Sequence, residues 1–543
     1  MLGLMQEWPL LLHRIIDHAS RQFGEREVVT RSIEGPIVRT NYRQIRTRSL
    51  QLAKRLTRDG IKLGDRVATM AWNTGRHLET WYGISGIGAI YHTVNPRLHP
   101  EQIAWIINHA EDRIVFADLT FVPLLEAIAG HLKSVERFII LTDGAHLPKN
   151  NLRNCVAYED WLAQADADFE WASFDERTAA GLCYTSGTTG NPKGVLYSHR
   201  SNTLHSMAST GGDGLRIDVT DIVLPVVPLF HANSWSLAFS APMRGAGLVM
   251  PGPKLDGASV YELLENEKVT MTAGVPTVWL MLLDYMRKNN KRLSTVKLVA
   301  IGGAAAPLSM IREFEIDYGI DVRHAWGMTE MSPIGSTGSL KASVADLPRD
   351  EKLQLKAKQG WAQFGVEMKI TDDDNKELPW DGVKFGHLKV SGFAVTSGYF
   401  RGEGGNILDA DGFFDTGDVA TIDPNGYMQI TDRAKDVIKS GGEWISSIDL
   451  ENIAVSHPDV MEAAVIGVPH PKWDERPLLI VVAQEGKTPD KQKVLDFMSG
   501  RVAKFWMPDD VQVISEIPHT ATGKINKLKL REIFKDYKLP TVV

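Results

Sequence analysis

A glycine-rich loop near the middle of the chain carries residue types that bind a row of phosphates. Glycine lets the backbone approach a ligand closely, and backbone N–H groups and hydroxyls donate to phosphate oxygens. A lysine after the loop adds a mobile positive charge suited to a polyphosphate. The spacing matches neither a Walker A loop nor a dinucleotide fingerprint, and a polar surface turn is the alternative. The loop and its flanks comprise Tyr184, Thr185, Ser186, Gly187, Thr188, Thr189, Gly190 and Lys193.

A second candidate is Glu330, the last residue of the segment Trp-Gly-Met-Thr-Glu at 326–330. Mg²⁺ prefers oxygen ligands, keeps several waters and is bound through one or two carboxylates plus substrate phosphates. The sequence therefore predicts that Glu330 is a Mg²⁺ ligand. The alternative is that Glu330 is a solvated acidic residue in a loop. The hydroxyls of Thr185 and Thr329 are candidate donors to the metal or the phosphates.

Alternating strands and helices must position these residues. A helix is predicted to start at Asn41, which can cap it, and to end near Gly60. The apolar residues between them recur at helical spacing. A strand over 66–70, a helix over 76–87, a strand over 89–93, a helix over 100–110 and a strand over 113–117 follow. This alternation predicts an α/β fold of parallel sheets covered by helices.

Two further apolar runs place candidate residues at strand ends. Residues 223–230 predict a strand that delivers His231, and residues 298–301 predict a buried strand opening into the loop 302–307. Ligands bind at the carboxyl ends of strands in such sheets. From about residue 362 the chain changes to short strands and tight turns, which predicts a β-rich subdomain over 362–431.

The last part of the chain predicts a separate small domain. After a polar seam at 431–442 come a helix over 448–456 and strands over 461–468 and 477–484. A helix over 490–504 and a strand over 511–514 complete it. We predict a large N-terminal domain over 1–431 and a small α+β lid over 432–543.

Composition narrows the class of protein. The 543 residues exceed what one hydrophobic core usually organises. A formal net charge of −7 argues against a nucleic-acid surface. Cys155 and Cys183 give no disulfide framework and suit a reducing compartment. The first nine residues lack the pattern of a signal peptide, and no run reaches the roughly 18 apolar residues of a membrane span. A cytoplasmic protein is expected.

Six motifs in a fixed order identify a family. The chain resembles the adenylate-forming (ANL) superfamily from about residue 20 to 535. That superfamily includes acyl-CoA synthetases, luciferase-like enzymes and adenylation domains of peptide synthetases. The resemblance implies ATP-dependent, AMP-forming activation of a carboxylic acid. The motifs are the loop at 184–194, Pro-Leu-Phe-His at 228–231, Trp-Gly-Met-Thr-Glu at 326–330, Thr-Gly-Asp at 416–418, Asp-Arg-Ala-Lys-Asp at 432–436 and Thr-Gly-Lys at 522–524.

The implied chemistry brings two anions together, because the acid's carboxylate attacks the α-phosphate of ATP and displaces pyrophosphate. Mg²⁺, a lysine and oriented donors are needed at that point. By resemblance Lys524 bridges the carboxylate and the α-phosphate, and Lys435 is the hinge of the lid. The implied catalytic residues are Lys524, Glu330, Thr329 and His231, and the implied metal ligands are Thr185 and Glu330.

The resemblance also assigns the nucleotide site. Asp418 and Arg433 meet the ribose, whereas the segments at 303–305 and 324–326 resemble the walls of the adenine slot. The implied nucleotide-binding residues are Thr185, Ser186, Gly187, Thr188, Thr189, Gly190, Lys193, Gly303, Ala304, Ala305, His324, Ala325, Trp326, Gly327, Met328, Thr329, Asp418, Arg433, Lys435, Lys439 and Trp444. A structural histidine at 324 and a plain surface lysine at 439 are the alternatives.

The second half-reaction, attack of a thiol on the adenylate, needs an open channel. By resemblance Gly442 lines the pantetheine channel, and Trp235 closes the fatty-acid tunnel. A core tryptophan is the alternative reading of Trp235. The implied residues of the acid and CoA channels are His231, Ala232, Trp235, Gly441 and Gly442.

The sequence does not determine which carboxylic acid is the substrate. The stretches 92–98, 438–446 and 470–477 are most similar to bacterial medium- and long-chain fatty-acyl-CoA ligases, with the 3-methylmercaptopropionate-CoA ligases as a sister group. A short, modified or cinnamic acid is an alternative, as are another acyl acceptor and an ATP-binding sensor without turnover. The expected small molecules are the acid, ATP with Mg²⁺, and coenzyme A. No nucleic acid or membrane span is expected, and a homodimer is expected by resemblance only.

Overall fold

The computed structural model describes residues 1, 3–185, 191–440, 443–520 and 524–541. Within these residues the fold rests on four sheets. The largest sheet has nine strands, here numbered along the chain. In spatial order they are β16 (Trp361–Ala362), β15 (Ile334–Thr337), β14 (Asp321–Gly327), β13 (Leu298–Ile301), β12 (Met271–Gly274), β10 (Ile222–Pro225), β11 (Gly247–Met250), β1 (Glu27–Arg31) and β2 (Ile37–Asn41).

The second sheet has seven strands among the described residues. In spatial order they are β7 (Val156–Ala157), β6 (Arg137–Ile140), β5 (Ile114–Ala117), β3 (Arg66–Met70), β4 (Ile90–Thr93), β8 (Ala179–Tyr184) and β9 (Gly194–Ser198). The inner strands of both large sheets pair in parallel, and antiparallel pairs occur at the edges. Strands such as β13 are buried along their whole length, as both-faced burial requires.

Two smaller sheets follow in sequence. The first is an antiparallel sheet of β17 (Val366–Thr371), β18 (Phe385–Gly392), β19 (Phe414–Ile422) and β20 (Met428–Arg433). In the second, β25 (Asp510–Ile514) lies beside β24. The remaining order is β22 (Glu443–Ile445), β21 (Ile438–Ser440), β24 (Asp474–Ala483) and β23 (Val460–His470).

Helices cover both faces of the large sheets. The second helix begins at a capping box, because Gln44 N donates to Asn41 Oδ1 and Asn41 N donates to Gln44 Oε1. The helices are α1 (His13–Gln22), α2 (Tyr42–Arg58), α3 (Gly75–Gly86), α4 (Pro100–Ala110), α5 (Val122–Ile128), α6 (Tyr158–Leu162), α7 (His199–Ser209), α8 (Leu237–Arg244), α9 (Gly257–Asn266), α10 (Pro276–Lys288), α11 (Leu308–Arg312), α12 (Arg349–Ala357), α13 (Ser447–Val455), α14 (Lys491–Met498) and α15 (Lys527–Ile533).

The predicted α/β class is therefore confirmed, with two corrections to single elements. The strand predicted over 223–230 ends at Pro225, because Asn73 takes over hydrogen bonds of the following backbone. Its amide donates to the carbonyl oxygens of Pro225 and Val227, and its Oδ1 accepts from Leu229 N. The helix predicted over 490–504 ends at Met498, before Gly500 at φ +75°.

Two features of the last part of the chain were not predicted. They are the short β21–β22 pair and α15. Within the described residues, no helix has both the length and the apolar character needed to cross a bilayer.

Candidate active site

A cavity of about 740 Å³ opens at the carboxyl ends of β10, β12, β13 and β14. The segments that follow these strands, together with Thr185 after β8, form most of its wall, and Lys524 enters from the last part of the chain. Of the predicted site residues, the cavity is lined by Thr185, His231, Ala232, Trp235, Gly303, Ala325, Trp326, Gly327, Met328, Thr329, Glu330, Arg433, Lys435 and Lys524.

The remaining predicted residues divide into two groups. Six are described but do not line the cavity: Lys193, Ala304, Ala305, His324, Asp418 and Lys439. The other calls lie outside the described residues, namely Ser186, Gly187, Thr188, Thr189, Gly190, Gly441, Gly442 and the side chain of Trp444.

Glu330 is a buried carboxylate that accepts a hydrogen bond from the side chain of Tyr399. It is 7% exposed, and its Oε1 accepts from the hydroxyl of Tyr399 at 2.8 Å. Among the described residues, no other side chain donates a hydrogen bond to this carboxylate. Burial raises the pKa of Glu330, while Tyr399 and the cations Arg433 and Lys524 favour the ionised form. A carboxylate oxygen thus faces the cavity with room for a ligand.

Asp418 is fixed by two donors at the edge of the cavity. Its Oδ2 accepts from the indole N–H of Trp326 at 2.8 Å, and its Oδ1 pairs with Arg433 Nε at 2.9 Å. The backbone N–H of Asp418 donates to Thr416 Oγ1, which holds the turn. Because a carboxylate has about four acceptor positions, both oxygens can accept further hydrogen bonds.

Lys524 lies beside these groups. Burial lowers the pKa of its ammonium to about 8; Arg433 acts in the same direction, and Asp418 and Glu330 oppose it. Its loop is closed by two hydrogen bonds with Thr520, from Lys524 N to Thr520 Oγ1 and from Thr520 N to Lys524 O. The cavity therefore contains a cation and a carboxylate from distant parts of the chain.

His231 is half-buried and held neutral. Burial lowers its pKa to about 4, and the nearby cations Lys524 and Arg97 act in the same direction. A histidine with this pKa is uncharged at neutral pH, so His231 is suited to positioning a substrate rather than to supplying a positive charge.

A left-handed turn follows His231. Ala232, Ser234, Trp235 and Ser236 all have φ between +41° and +63°. Hydrogen bonds hold the turn, since Ser234 Oγ donates to Val227 O and Ser236 Oγ lies 2.6 Å from His205 Nδ1.

The turn places Trp235 in the wall of the cavity. A Cβ added at Gly302 would lie 2.8 Å from the indole carbon Cη2. Trp235 therefore closes against the loop after β13, where only glycine leaves room.

The far end of the cavity is apolar. Val278 is 7% exposed, whereas Met281 is 45% exposed, so this end reaches the surface beside α10. Its wall contains no charged side chain among the described residues. The wall residues are Val226, Val227, Leu255, Val275, Thr277, Val278 and Met281.

His324 and Lys193 do not line the cavity. His324 is fully buried, with Nδ1 2.8 Å from Ala357 O and Nε2 accepting from Ala306 N. Its Nε2 therefore holds the backbone of the loop after β13. The ammonium of Lys193 lies 4.9 Å from the ring centroid of Tyr399.

Sequence reasoning missed Tyr399, which lines the cavity and contacts both Glu330 and Lys193. It stands in Ser-Gly-Tyr-Phe at 397–400, and no spacing there distinguishes it from any half-buried tyrosine. Arg97 was quoted only as part of a similar stretch, although it also lines the cavity.

The segment that carries Lys524 is tied to the seam after β20. Ser447 N donates to Asp432 Oδ2 at 2.9 Å, and Arg531 pairs with Asp436 at 2.7 Å. Lys527 forms an ion pair with Glu451 at 2.7 Å. These contacts connect α13 and α15 to the residues on either side of Lys435.

Comparison with known proteins identifies the family. The family model of AMP-binding enzymes matches residues 16–400, and that of the AMP-binding enzyme C-terminal domain matches residues 449–524.

Individual relatives match over nearly their whole length. A 3-methylmercaptopropionyl-CoA ligase of Ruegeria lacuscaerulensis is 49% identical over 99% of both chains. A medium-chain-fatty-acid–CoA ligase of Ectopseudomonas oleovorans is 46% identical over 99% of this chain and 98% of the relative. The crystal structure of ATP-bound MatB from Rhodopseudomonas palustris is 26% identical and superposes with a TM-score of 0.81, over 98% of this chain and all of the other.

The two family matches and the relatives agree with the geometry of the cavity. The chain therefore belongs to the AMP-binding enzyme family and, within it, to the AMP-forming acyl-CoA ligases.

Proposed function

We propose that this ligase joins a carboxylic acid with an apolar chain of medium to long length to coenzyme A through an acyl adenylate. The observation that carries this proposal is one cavity with two unlike ends. Lys524, Glu330 and Arg433 lie at one end, and the wall around Val278 and Met281 lies at the other. A fatty acid has the same division between carboxylate and tail.

In the first half-reaction a carboxylate oxygen attacks the α-phosphate of ATP, and pyrophosphate leaves. The role of Lys524 is to neutralise the two anions as they approach, because its ammonium is charged below pH 8. Asp418 and Arg433 hold the ribose, and the segment 325–328 bounds the adenine. Thr185 and the loop after it receive the outer phosphates.

Glu330 would hold Mg²⁺ together with substrate phosphates. The spare acceptor capacity of this carboxylate and the orienting hydrogen bond from Tyr399 fit a hard cation that takes one protein carboxylate and keeps waters. Bound there, the ion would neutralise charge on the phosphates. Within the described residues, no three His, Cys, Asp or Glu side chains converge on one point, so a resident metal cage is not part of this proposal.

In the second half-reaction the CoA thiol attacks the adenylate carbonyl, and AMP leaves. Lys524 occupies the space at the reacting end in the present arrangement, so the thiol needs a different one. We infer that the segment 432–543 rotates about Lys435 as a lid on the domain 1–431. The short seam supports this, as does the exposed, long ion pair between Lys288 and Glu485, at 3.5 Å, that crosses between the two parts.

The apolar end of the cavity favours an acid with a medium or long acyl chain over a short acid. The absence of charged wall residues among those described disfavours a dicarboxylate, and the exposed Met281 leaves the end of the chain unblocked. Trp235 is the gate of this tunnel in the proposal. The Ruegeria relative favours a second candidate, 3-methylmercaptopropionate, whose short thioether chain is also apolar.

A panel of acids tests the proposal. Propionate to palmitate, 3-methylmercaptopropionate and cinnamate are each incubated with ATP, Mg²⁺ and CoA, and pyrophosphate and thioester are measured. Both products are expected, with the highest kcat/KM for medium to long chains. A maximum at 3-methylmercaptopropionate selects the second candidate. Pyrophosphate without thioester would indicate another acceptor, and neither product would indicate a sensor.

We also propose, as the sequence suggested, that the protein is cytoplasmic and forms a homodimer. The resemblance to the family supports the dimer, and the two free cysteines suit a reducing compartment. Light scattering after size-exclusion chromatography measures the mass of the particle. A mass equal to one chain would contradict the dimer.

A further inference from the structure

The imidazole of His109, near the end of α4, joins two segments that are distant in sequence. Its Nδ1 lies 2.6 Å from the hydroxyl of Tyr184, and its Nε2 lies 3.3 Å from Oε1 of Glu403. His109 does not line the reaction cavity itself. It lies behind the wall, on the side of the seven-stranded sheet.

Both partners of this histidine adjoin residues of the cavity wall. Tyr184 is the last residue of β8 and directly precedes Thr185, which lines the cavity. Glu403 lies in the loop 399–405, which begins with Tyr399, another wall residue. Tyr399 donates to the carboxylate that is proposed to hold Mg²⁺. One imidazole is therefore connected to both segments that flank the outer phosphates of ATP.

Aromatic neighbours orient the imidazole of His109. Trp105, one helical turn earlier, stacks on it with ring centroids 4.6 Å apart and an interplanar angle of 10°. Phe400 meets it edge-on at 5.8 Å. A carboxylate beside Nε2 favours the tautomer with the proton on that nitrogen, so Nδ1 is left to accept from the hydroxyl of Tyr184.

Close packing ties the same three segments together. Gly194 of β9 pairs with Tyr184 of β8, and a Cβ added at Gly194 would lie 3.0 Å from Cβ of Phe400. Glu111, just after α4, forms an ion pair with Arg401 at 2.8 Å. The end of α4, the β8–β9 pair and the loop 399–405 thus form one packed unit behind the cavity.

The outer phosphates of ATP depend on the placement of this unit in the proposed function. Thr185 and the loop after it receive those phosphates, and Tyr399 orients the carboxylate for Mg²⁺. Binding groups must be held within about half an ångström of their working positions by the side chains behind them. AMP has no outer phosphates, so its binding should not depend on the same support.

We propose that His109 is a positioning residue for the outer phosphates of ATP, acting through Tyr184 and the loop 399–405. The inference rests on the proposed function, because it takes the segment after β8 as the site of those phosphates. His109 contacts neither ATP nor Mg²⁺ in this role. Its ring keeps the two flanking segments at one separation.

The test compares Tyr184→Phe, His109→Ala and His109→Asn with the control His387→Ala. His387 is a matched control because it is also half-buried, lies 3.0 Å from a carboxylate oxygen of Asp373, and does not line the cavity. The Kd for ATP with Mg²⁺ and the Kd for AMP are measured by titration calorimetry, without acid or CoA. The KM for pyrophosphate is measured in ATP synthesis from pre-made acyl adenylate.

Tyr184→Phe and His109→Ala are each expected to raise the Kd for ATP and the KM for pyrophosphate about fivefold, the effect of one lost hydrogen bond. The Kd for AMP should stay within a factor of two of wild type. An amide oxygen can take the place of Nδ1, so His109→Asn should recover part of the affinity for ATP. The double variant Tyr184→Phe/His109→Ala should be weakened less than the product of the single effects, because the two residues share one contact.

A Kd for ATP of His109→Ala equal to that of His387→Ala would overturn the inference. An equal rise for ATP and AMP would also overturn it, since the damage would then extend to the whole nucleotide site. Single effects that multiply in the double variant would overturn the action through Tyr184. Failure of the proposed function looks different, because wild type would then form no thioester from any acid. The two calorimetric constants report on His109 in either case.

Discussion

The two ends of the reaction cavity are built in opposite ways. At the polar end two carboxylates are held by named partners: Glu330 by Tyr399, and Asp418 by Trp326 and Arg433. At the apolar end the wall consists of aliphatic side chains and a left-handed turn, with the partly exposed Met281 at its limit.

This difference separates the reaction from the choice of acid. Charged groups must meet a phosphate within tenths of an ångström, so their partners fix them. An apolar wall needs only suitable volume and no unpaired polar group, and many combinations of side chains supply that. Relatives that act on different acids share this family, as the Ruegeria and Ectopseudomonas ligases show.

Among the variants that test the difference between the polar and apolar ends, Lys524→Ala is expected to have the largest effect. Loss of one positioned charge worth about 3 kcal/mol should reduce acid-dependent ATP–pyrophosphate exchange by roughly 10² or more. With pre-made acyl adenylate and CoA, the variant should form thioester at a near-normal rate. The exposed Lys529→Ala on α15 is the matched control. Equal loss of both half-reactions in a folded variant would contradict a lid that serves them in turn.

Asp418→Ala should act mainly on ATP. Loss of a charge-assisted hydrogen bond to ribose, about 1.5–3 kcal/mol, should raise the KM for ATP by one to two decades. The KM values for acid and CoA should change far less, and Asp411→Ala, an exposed aspartate of the same subdomain, should change none. A similar rise for all three substrates would mean that the variant is misfolded.

The pH dependence of adenylation should also reflect the polar end. Burial lowers the pKa of Lys524 to about 8, so its charged form predominates below that pH and is lost above it. The kcat/KM for exchange, which reports the free enzyme, should therefore fall above pH 8, approaching tenfold per pH unit. Lys524→Arg should lack this alkaline decline. A wild-type profile that is flat to pH 9.5 would contradict the assignment.

Val278→Trp tests the apolar end. A larger side chain in this buried wall should lower kcat/KM for palmitate by about tenfold, because loss of tail burial and steric conflict each cost about 1 kcal/mol or more. The value for propionate should stay within a factor of two. Val219→Trp, at an exposed position, controls for the added indole. An equal loss for all acids would place Val278 outside the tail site.

The smallest effect is expected for Tyr399→Phe. Removing one neutral-to-charged hydrogen bond from Glu330 should raise the Mg²⁺ concentration needed for half-maximal exchange by about three- to tenfold. Saturating Mg²⁺ should restore most of the rate. Tyr285→Phe, on the surface of α10, is the control. A loss that Mg²⁺ does not restore would show that Tyr399 acts on something other than the metal site.

The sequence allowed the polar end to be predicted better than its surroundings. Glu330, Thr329 and Lys524 stand in motifs whose order is specific, and the cavity brings them together. The contacts of His324 could not be predicted, because a motif position does not reveal where a ring points; its nitrogens contact the backbone of Ala357 and Ala306. Tyr399 was missed because its role depends on a partner 69 residues away.

Local patterns predicted most elements, such as α2 with its Asn41 cap, because capping and helical spacing are encoded by neighbours. The end of β10 could not be predicted in that way. It depends on Asn73, which hydrogen-bonds residues more than 150 positions later in the chain. The domain boundary at 431/432 stays a prediction.

The left-handed turn after His231 has a consequence for how enzymes of this kind evolve new acids. In that conformation a residue with a side chain is strained by about 1–2 kcal/mol. Glycine avoids this strain but costs about 0.5–1 kcal/mol in chain entropy on folding. Exchange of Ala232 for glycine is therefore close to neutral for the fold. Mutations can accumulate in this wall and change the shape of the tunnel, while Glu330 and Asp418, on other segments, keep their partners.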